Sequence, residues 1–223
     1  MPYLPTRAPW YGKTAKRTAD ICFSLLALIL LSPILLLLML LLLITQAGTP
    51  IFRQKRVGFH GQLFYICKFR TMTQERGEDG ELLPDEARTT WVGRILRATS
   101  LDELPELLNV LRGDMSLIGP RPWVPEQMAT FDERTQRRRM SVRPGLSGLA
   151  QILGRNNLTF RQRVCLDLRY IRHQSPTLDL VIILLTIYKI LKREGIYQRP
   201  GALASPPKDP TTRSLRANRP HHP

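Results

Sequence analysis

The 223-residue chain carries 33 Lys and Arg against 18 Asp and Glu, a formal net charge of +15, so its partners are polyanions: nucleic acid, anionic lipid or phosphorylated small molecules. The length allows one moderately large domain, or one domain with appendages. Three scattered cysteines (Cys22, Cys67, Cys165) and four histidines (His60, His173, His221, His222) form no ligand pattern, which argues against a disulfide framework or a zinc site and for a reducing compartment.

Residues 1–19 are basic and contain proline, with Lys13, Lys16 and Arg17 just ahead of an uncharged apolar run from Ile21 to Ile44. As a helix that run measures roughly 36 Å, enough to cross a bilayer core, and it is too long for a signal peptide. A single membrane span is the simplest reading. Two features favour a kinked helix that enters and leaves by one face. Arg53, Lys55 and Arg56 follow the run as cations precede it, which suits two cytoplasmic ends. Ser32-Pro33 also lies at its middle, where proline breaks the ladder and serine can satisfy the freed carbonyl.

Pro50 to Met72 reads as a β-hairpin turning at Gly58–Gly61, with Lys68 and Arg70 on one face, either solvated or a cationic wall for phosphates. Thr73 to Glu86 is an acidic loop without calcium-type spacing. Ala87 to Ala98 reads as one short basic amphipathic helix, suited to a membrane surface or to an ordinary head surface.

Thr99 to Pro122, TSLDELPELLNVLRGDMSLIGPRP, is the densest stretch. In one reading Ser100 and Glu103 form a capping box, and both acids serve the helix. In the other the helix starts near Leu104 with Pro105 at its first position. Asp102 and Glu103 then stand just ahead of it, near backbone N–H groups suited to anions. Pro125 to Met140 reads as one charged helix whose terminal Arg137, Arg138 and Arg139 suit the helix dipole or anionic lipid. In SVRPGLSGLAQILGRNN, Gly145, Gly148 and Gly154 permit close approach to a ligand, and Arg143 and Arg155 offer forked donors for phosphate. Leu158–His173 and Leu178–Arg193 read as helices, the second buried or interfacial. The Pro-rich basic end reads as disordered.

Taken together in order, Ser32-Pro33 within the apolar run, KFRTM at Lys68–Met72, SLDELPELLNVLRGDMSLIGPRP, RPGLSGLAQILGRN and LDLRYI resemble the monotopic phosphoglycosyl transferases, the bacterial sugar transferase family, over roughly Lys13 to Gly195. The resemblance implies an α+β, mainly helical fold. It comprises a basic segment 1–19, a re-entrant membrane helix 20–45, a cytosolic catalytic head 46–195 with a β-hairpin and interfacial amphipathic helices, and a tail 196–223.

The resemblance further implies transfer of a phosphosugar from a UDP-sugar to undecaprenyl phosphate at the bacterial inner membrane, among its phospholipids, with Mg²⁺ and without nucleic acid. A homodimer stays open. By the same resemblance Asp102 is nucleophile and metal ligand, Glu103 its partner, and Arg121 and Arg155 hold phosphate. Lys68, Arg70, Arg97, Asp114, Arg143 and Asp167 line or support the site. Leu149 replaces a frequent aromatic beside the ligand loop and bears on sugar preference. A tethered nucleic-acid or lipid binder is the rival reading, and a silent scaffold of a glycan-assembly complex is another; neither accounts for the acidic pair with its arginines.

Overall fold

The computed structural model describes residues 11, 14–46, 48–154 and 157–192. Arg155, most of the basic N-terminal segment and the tail lie outside the described residues.

The apolar run forms one long helix, α1 (Thr14–Thr45), with Pro33 inside it. Proline has no N–H to give the carbonyl of Ile29, four residues back. The Ser32 hydroxyl donates to that same carbonyl at 2.8 Å, which meets the need the Ser-Pro pair suggests. By length and apolarity α1 is able to cross a membrane.

Strands β1 (Ile51–Val57) and β2 (Leu63–Phe69) pair antiparallel, with Lys55 opposite Tyr65, as the hairpin reading requires. His60 takes a left-handed conformation (φ 52°) in the turn. The helix expected over Ala87–Ala98 is two pieces, α2 (Asp85–Arg88) and α3 (Trp91–Thr99). Thr90 separates them because its hydroxyl accepts from Gly93 N at 2.9 Å and so caps a new start.

Ser100 is left-handed and ends α3, and its side chain makes no cap hydrogen bond. The capping-box reading therefore fails. Leu101–Glu103 is a single 3₁₀ turn, and α4 (Glu106–Arg112) follows directly after Pro105. The acidic pair thus stands ahead of the helix, as the second reading has it.

Strand β3 (Ser116–Ile118) comes next. The helix expected over Pro125–Met140 also splits, into α5 (Pro125–Met128) and α6 (Glu133–Arg139). Here Asp132 caps the second piece by accepting from Thr135 N at 2.9 Å. Strand β4 (Gly145–Ser147) pairs parallel with β3, and α7 (Leu149–Leu153) follows. Two longer helices close the described chain, α8 (Phe160–His173) and α9 (Pro176–Lys192).

The stretch expected to be a ligand-facing glycine loop is therefore a strand and a helix. Gly145 is needed for chain contact: a Cβ there would lie 2.0 Å from Gly119 N, so only glycine lets the two backbones meet. Leu149 is 2% exposed and packs with Ile118, Ile152, Tyr170, Leu178 and Ile182. It belongs to the core and does not line a ligand loop.

Both ends of α1 dock on the same head. Near its start Arg17 donates to the carbonyls of Val110 (2.5 Å) and Leu111 (2.7 Å), closing the C-terminal end of α4. Asp20 accepts from Leu117 N at 3.0 Å, and Lys16 pairs with Asp179 of α9. Near its end Leu42 is fully buried against Phe69, Val92 and Leu96, and Gln46 donates to Thr90 at 3.1 Å. Between these anchors Ile29, Leu30, Leu36 and Leu37 are 61–71% exposed.

Candidate active site

The 3₁₀ turn before α4 brings Asp102 and Glu103 against the end of β2 and the segment after β3. Glu103 Oε1 accepts from Lys68 Nζ at 2.6 Å and from Arg121 Nη2 at 2.5 Å. Lys68 Nζ also stands 3.1 Å from Oε1 of Glu106, on the first turn of α4. Two cations from different elements thus meet on one carboxylate oxygen, with a second carboxylate beneath.

Electrostatics divide the acids into different states. Burial raises Glu103, but Arg121 and Lys68 outweigh it and hold its carboxyl well below the usual range. Burial lowers Lys68, yet Glu103 with Glu106 and Asp102 keeps it above an ordinary lysine. Asp102 has no hydrogen bond or ion pair among the described residues. Burial first, then repulsion by Glu103, push it up to about 6 against the pull of Lys68, Arg121 and Arg97. Glu106, 1% exposed, is pushed up to about 7 by burial, with Glu103 adding to it.

The Arg121 side chain stays 42% exposed while its backbone is fixed from behind. Arg139 Nη2 donates to the Arg121 carbonyl at 2.6 Å, and Arg139 Nε donates to Asp167 at 2.8 Å. The Arg139 guanidinium also lies 3.8 Å from the Trp123 ring. Asp167 is therefore enclosed by protein and lies behind Arg121, reaching it through Arg139. Arg139 turns inward for this reason, whereas Arg137 pairs with Glu133 on the surface at 3.2 Å.

The remaining expected residues scatter. Arg97 reaches Thr71 Oγ1 at 2.9 Å and its charge acts on Asp102. Arg70 lies one residue past β2 and donates to Thr49 O at 2.7 Å, so it does not extend Lys68's wall. Arg143 donates to Gly113 O at 2.8 Å beside the Phe59 ring, at the far end of α4 from the acidic pair. Asp114 accepts from Asn109 Nδ2 at 3.2 Å at that same far end. Sequence reasoning missed Glu106 and Arg139. The acid after Pro105 and the last arginine of a basic run gave no sign of facing inward.

Among the described residues no group of three or more Asp, Glu, His or Cys gathers as a metal cage. A magnesium ion needs no such cage when a substrate diphosphate supplies oxygens, since one or two carboxylates then suffice. Asp102, unpaired beside an acid already occupied by cations, suits that arrangement.

A sequence profile of the family described as bacterial sugar transferase matches residues 11–193. The chain is 45% identical over 184 residues to the uncharacterized sugar transferase EpsL of Bacillus subtilis, covering 82% of this chain and 90% of the relative. It is 42% identical over 191 residues to a UDP-glucose:undecaprenyl-phosphate glucose-1-phosphate transferase of Caulobacter vibrioides (82% and 72%). It is also 40% identical over 200 residues to an undecaprenyl-phosphate galactose phosphotransferase of Salmonella typhimurium (82% and 41%).

Proposed function

Because the chain belongs to the bacterial sugar transferase family, we propose that it moves a sugar phosphate from a UDP-sugar onto undecaprenyl phosphate, releasing UMP, through a covalent intermediate on Asp102. The unequal states of the two acids carry this reading. Glu103 is occupied by Lys68 and Arg121, whereas the Asp102 carboxylate has no partner among the described residues.

The division of labour follows from charge. Both substrates are anions, so bringing acceptor phosphate to donor diphosphate directly costs electrostatic repulsion. A carboxylate nucleophile replaces that encounter with two displacements. An Asp102 oxygen bonds to the β-phosphorus as its bond to the bridging oxygen breaks, and UMP leaves with that electron pair. An oxygen of the lipid phosphate then bonds to the same phosphorus, and the Asp102–phosphorus bond breaks to restore the carboxylate. No proton is gained or lost over the cycle.

Arg121 and Lys68, aligned by Glu103, face the charge that develops as UMP leaves. A magnesium ion held by Asp102 and the diphosphate would supply further neutralisation of that charge.

The docking of both α1 ends on one head supports a re-entrant helix, and the cations flanking the apolar run on both sides suit a head on the cytosolic face of the bacterial inner membrane. The exposed apolar middle then sits in lipid, and the acceptor's phosphate meets the head at headgroup level. UMP release and intact-mass analysis with a panel of UDP-sugars, with and without undecaprenyl phosphate, test the reaction. Without lipid, one phosphosugar should add per chain and map to Asp102. Near-full turnover by Asp102→Asn would end the proposal.

A further inference from the structure

Besides Arg139, which pairs with Asp167, two further arginines stand near Arg121 of the Pro120–Pro122 segment, and among the described residues neither has a carboxylate at ion-pair distance. Arg56, on β1, donates to the Pro122 carbonyl at 3.1 Å and to Gln54 Oε1 at 2.5 Å, both neutral acceptors. Arg163 lies on α8 between Phe160 and Asp167. The Phe160 ring packs 4.6 Å from that of Trp123, and Asp167 holds Arg139, which holds the Arg121 backbone. Positions 160, 163 and 167 share one helix face, so Arg163 is turned toward the same segment.

The Nε groups of both Arg56 and Arg163 are buried without an acceptor; partial burial and then the charge of Arg121 disfavour each cation, against the pull of Glu106 and Glu103 on Arg56 and of Asp167 on Arg163. Both residues are half-buried, and buried donors such as these Nε groups normally find acceptors. Two guanidinium groups without a carboxylate at ion-pair distance, beside a third, form an arrangement that a multivalent anion relieves.

We propose that Arg56 and Arg163 flank Arg121 as a cradle for a substrate phosphate, the diphosphate of the nucleotide donor or the phosphate of the lipid acceptor. The forked N–H groups suit phosphate oxygens, and Gln54 holds Arg56 extended toward them. The cradle rests on the phosphosugar-transfer reading for its two candidate ligands, but not for the binding of an anion.

The test uses the full chain in phospholipid nanodiscs, with Arg56→Gln and Arg163→Gln. The first measurement is the rise in melting temperature on adding UMP or pyrophosphate. Ligand protection reports affinity through mass action, separately from basal stability. If the cradle takes the donor diphosphate, UMP and pyrophosphate should bind roughly 10–100-fold more weakly to each variant. If it takes the lipid phosphate, UMP protection stays as in the parent, and the KM for undecaprenyl phosphate rises by the same factor.

A lower basal melting temperature with unchanged UMP protection and unchanged KM values makes both residues struts and overturns the cradle. Replacement by lysine should restore part of the binding loss, and equal losses with Gln and Lys in melting alone would count against it. Should the parent release no UMP from any UDP-sugar, the transfer reading falls. The anion-protection measurement then decides the cradle alone.

Discussion

Asp167 and Arg121 never touch, yet one guanidinium joins them: Arg139 gives Nε to the Asp167 carboxylate at 2.8 Å and Nη2 to the Arg121 carbonyl at 2.6 Å. Arg139 and Asp167 side chains are 2% and 3% exposed, so neither has water as an alternative partner. Removing one member of such a pair leaves a buried charge alone, at a cost of about 3–5 kcal/mol. Asp167→Ala should lower the melting temperature sharply and reduce UMP release in the protein that remains folded. Asp167→Asn keeps an acceptor oxygen and should lose less of both. Melting and turnover equal to the parent in Asp167→Ala would show that the pair supports nothing.

The sequence discloses this head unevenly, and the reason is the range of the forces involved. The hairpin, α8 and α9 announce themselves through local period and turn residues. The two helices predicted as single broke where Thr90 and Asp132 each capped a new start. A capping side chain inside a periodic run competes with the period, and the period alone does not say which wins. Asp102, Glu103 and Arg121 were legible as motif residues. That Glu103 binds the cations and Asp102 is left over depends on β2 packing beside the 3₁₀ turn, a contact between residues 35 positions apart. Arg139 was hidden in a basic run because its partner lies 28 residues away.

Asp102 and Glu106 carry a pH signature with a definite sign. The folded protein binds a proton on each more tightly than the unfolded chain does, at about 6 and about 7. Their stabilising contribution is complete below the ordinary carboxylate range and is lost as pH rises through those values. Asp102→Asn and Glu106→Gln should therefore melt higher than the parent at pH 8, by on the order of 1–2 kcal/mol each. The difference should vanish near pH 4. Nucleophilic attack needs the ionised form, so adduct formation should fall as pH drops through about 6. Melting curves at pH 4 and 8, beside single-turnover labelling from pH 5 to 8, check both halves.

Gly145 sets how closely β4 approaches the chain that leads into Arg121. A Cβ at that position would meet Gly119 N at 2.0 Å and Gly119 Cα at 2.6 Å, both backbone atoms that no rotamer change can move. Gly145→Ala should force the two strands apart and break the bonds from Gly119 N to Ser147 O and from Gly145 N to Pro120 O. A loss of at least about 2–3 kcal/mol follows from overpacking of this kind. Arg121 should shift with it, so UMP release should fall further than folding alone explains. Comparing specific activity of the soluble fraction with its melting temperature separates the two effects.

The last prediction concerns α1. Its 32 residues measure roughly 48 Å if straight, against a hydrocarbon core of roughly 30 Å. A plain crossing would place Lys16, Arg17 and Asp20 on the opposite side of the bilayer from Leu42 and Gln46, and one set of contacts with the head would be given up. Undocking the first set strands buried charges, and undocking the second exposes the apolar surface around Phe69, Val92 and Leu96. Keeping both requires the two ends to share one face of the membrane. With Cys22, Cys67 and Cys165 replaced, single cysteines at Thr14 and Thr49 should both react with a membrane-impermeant maleimide added from the cytosolic side, and with none added from outside. Labelling of the two positions from opposite sides would make α1 a plain span and would detach one end from the head in the membrane-bound protein.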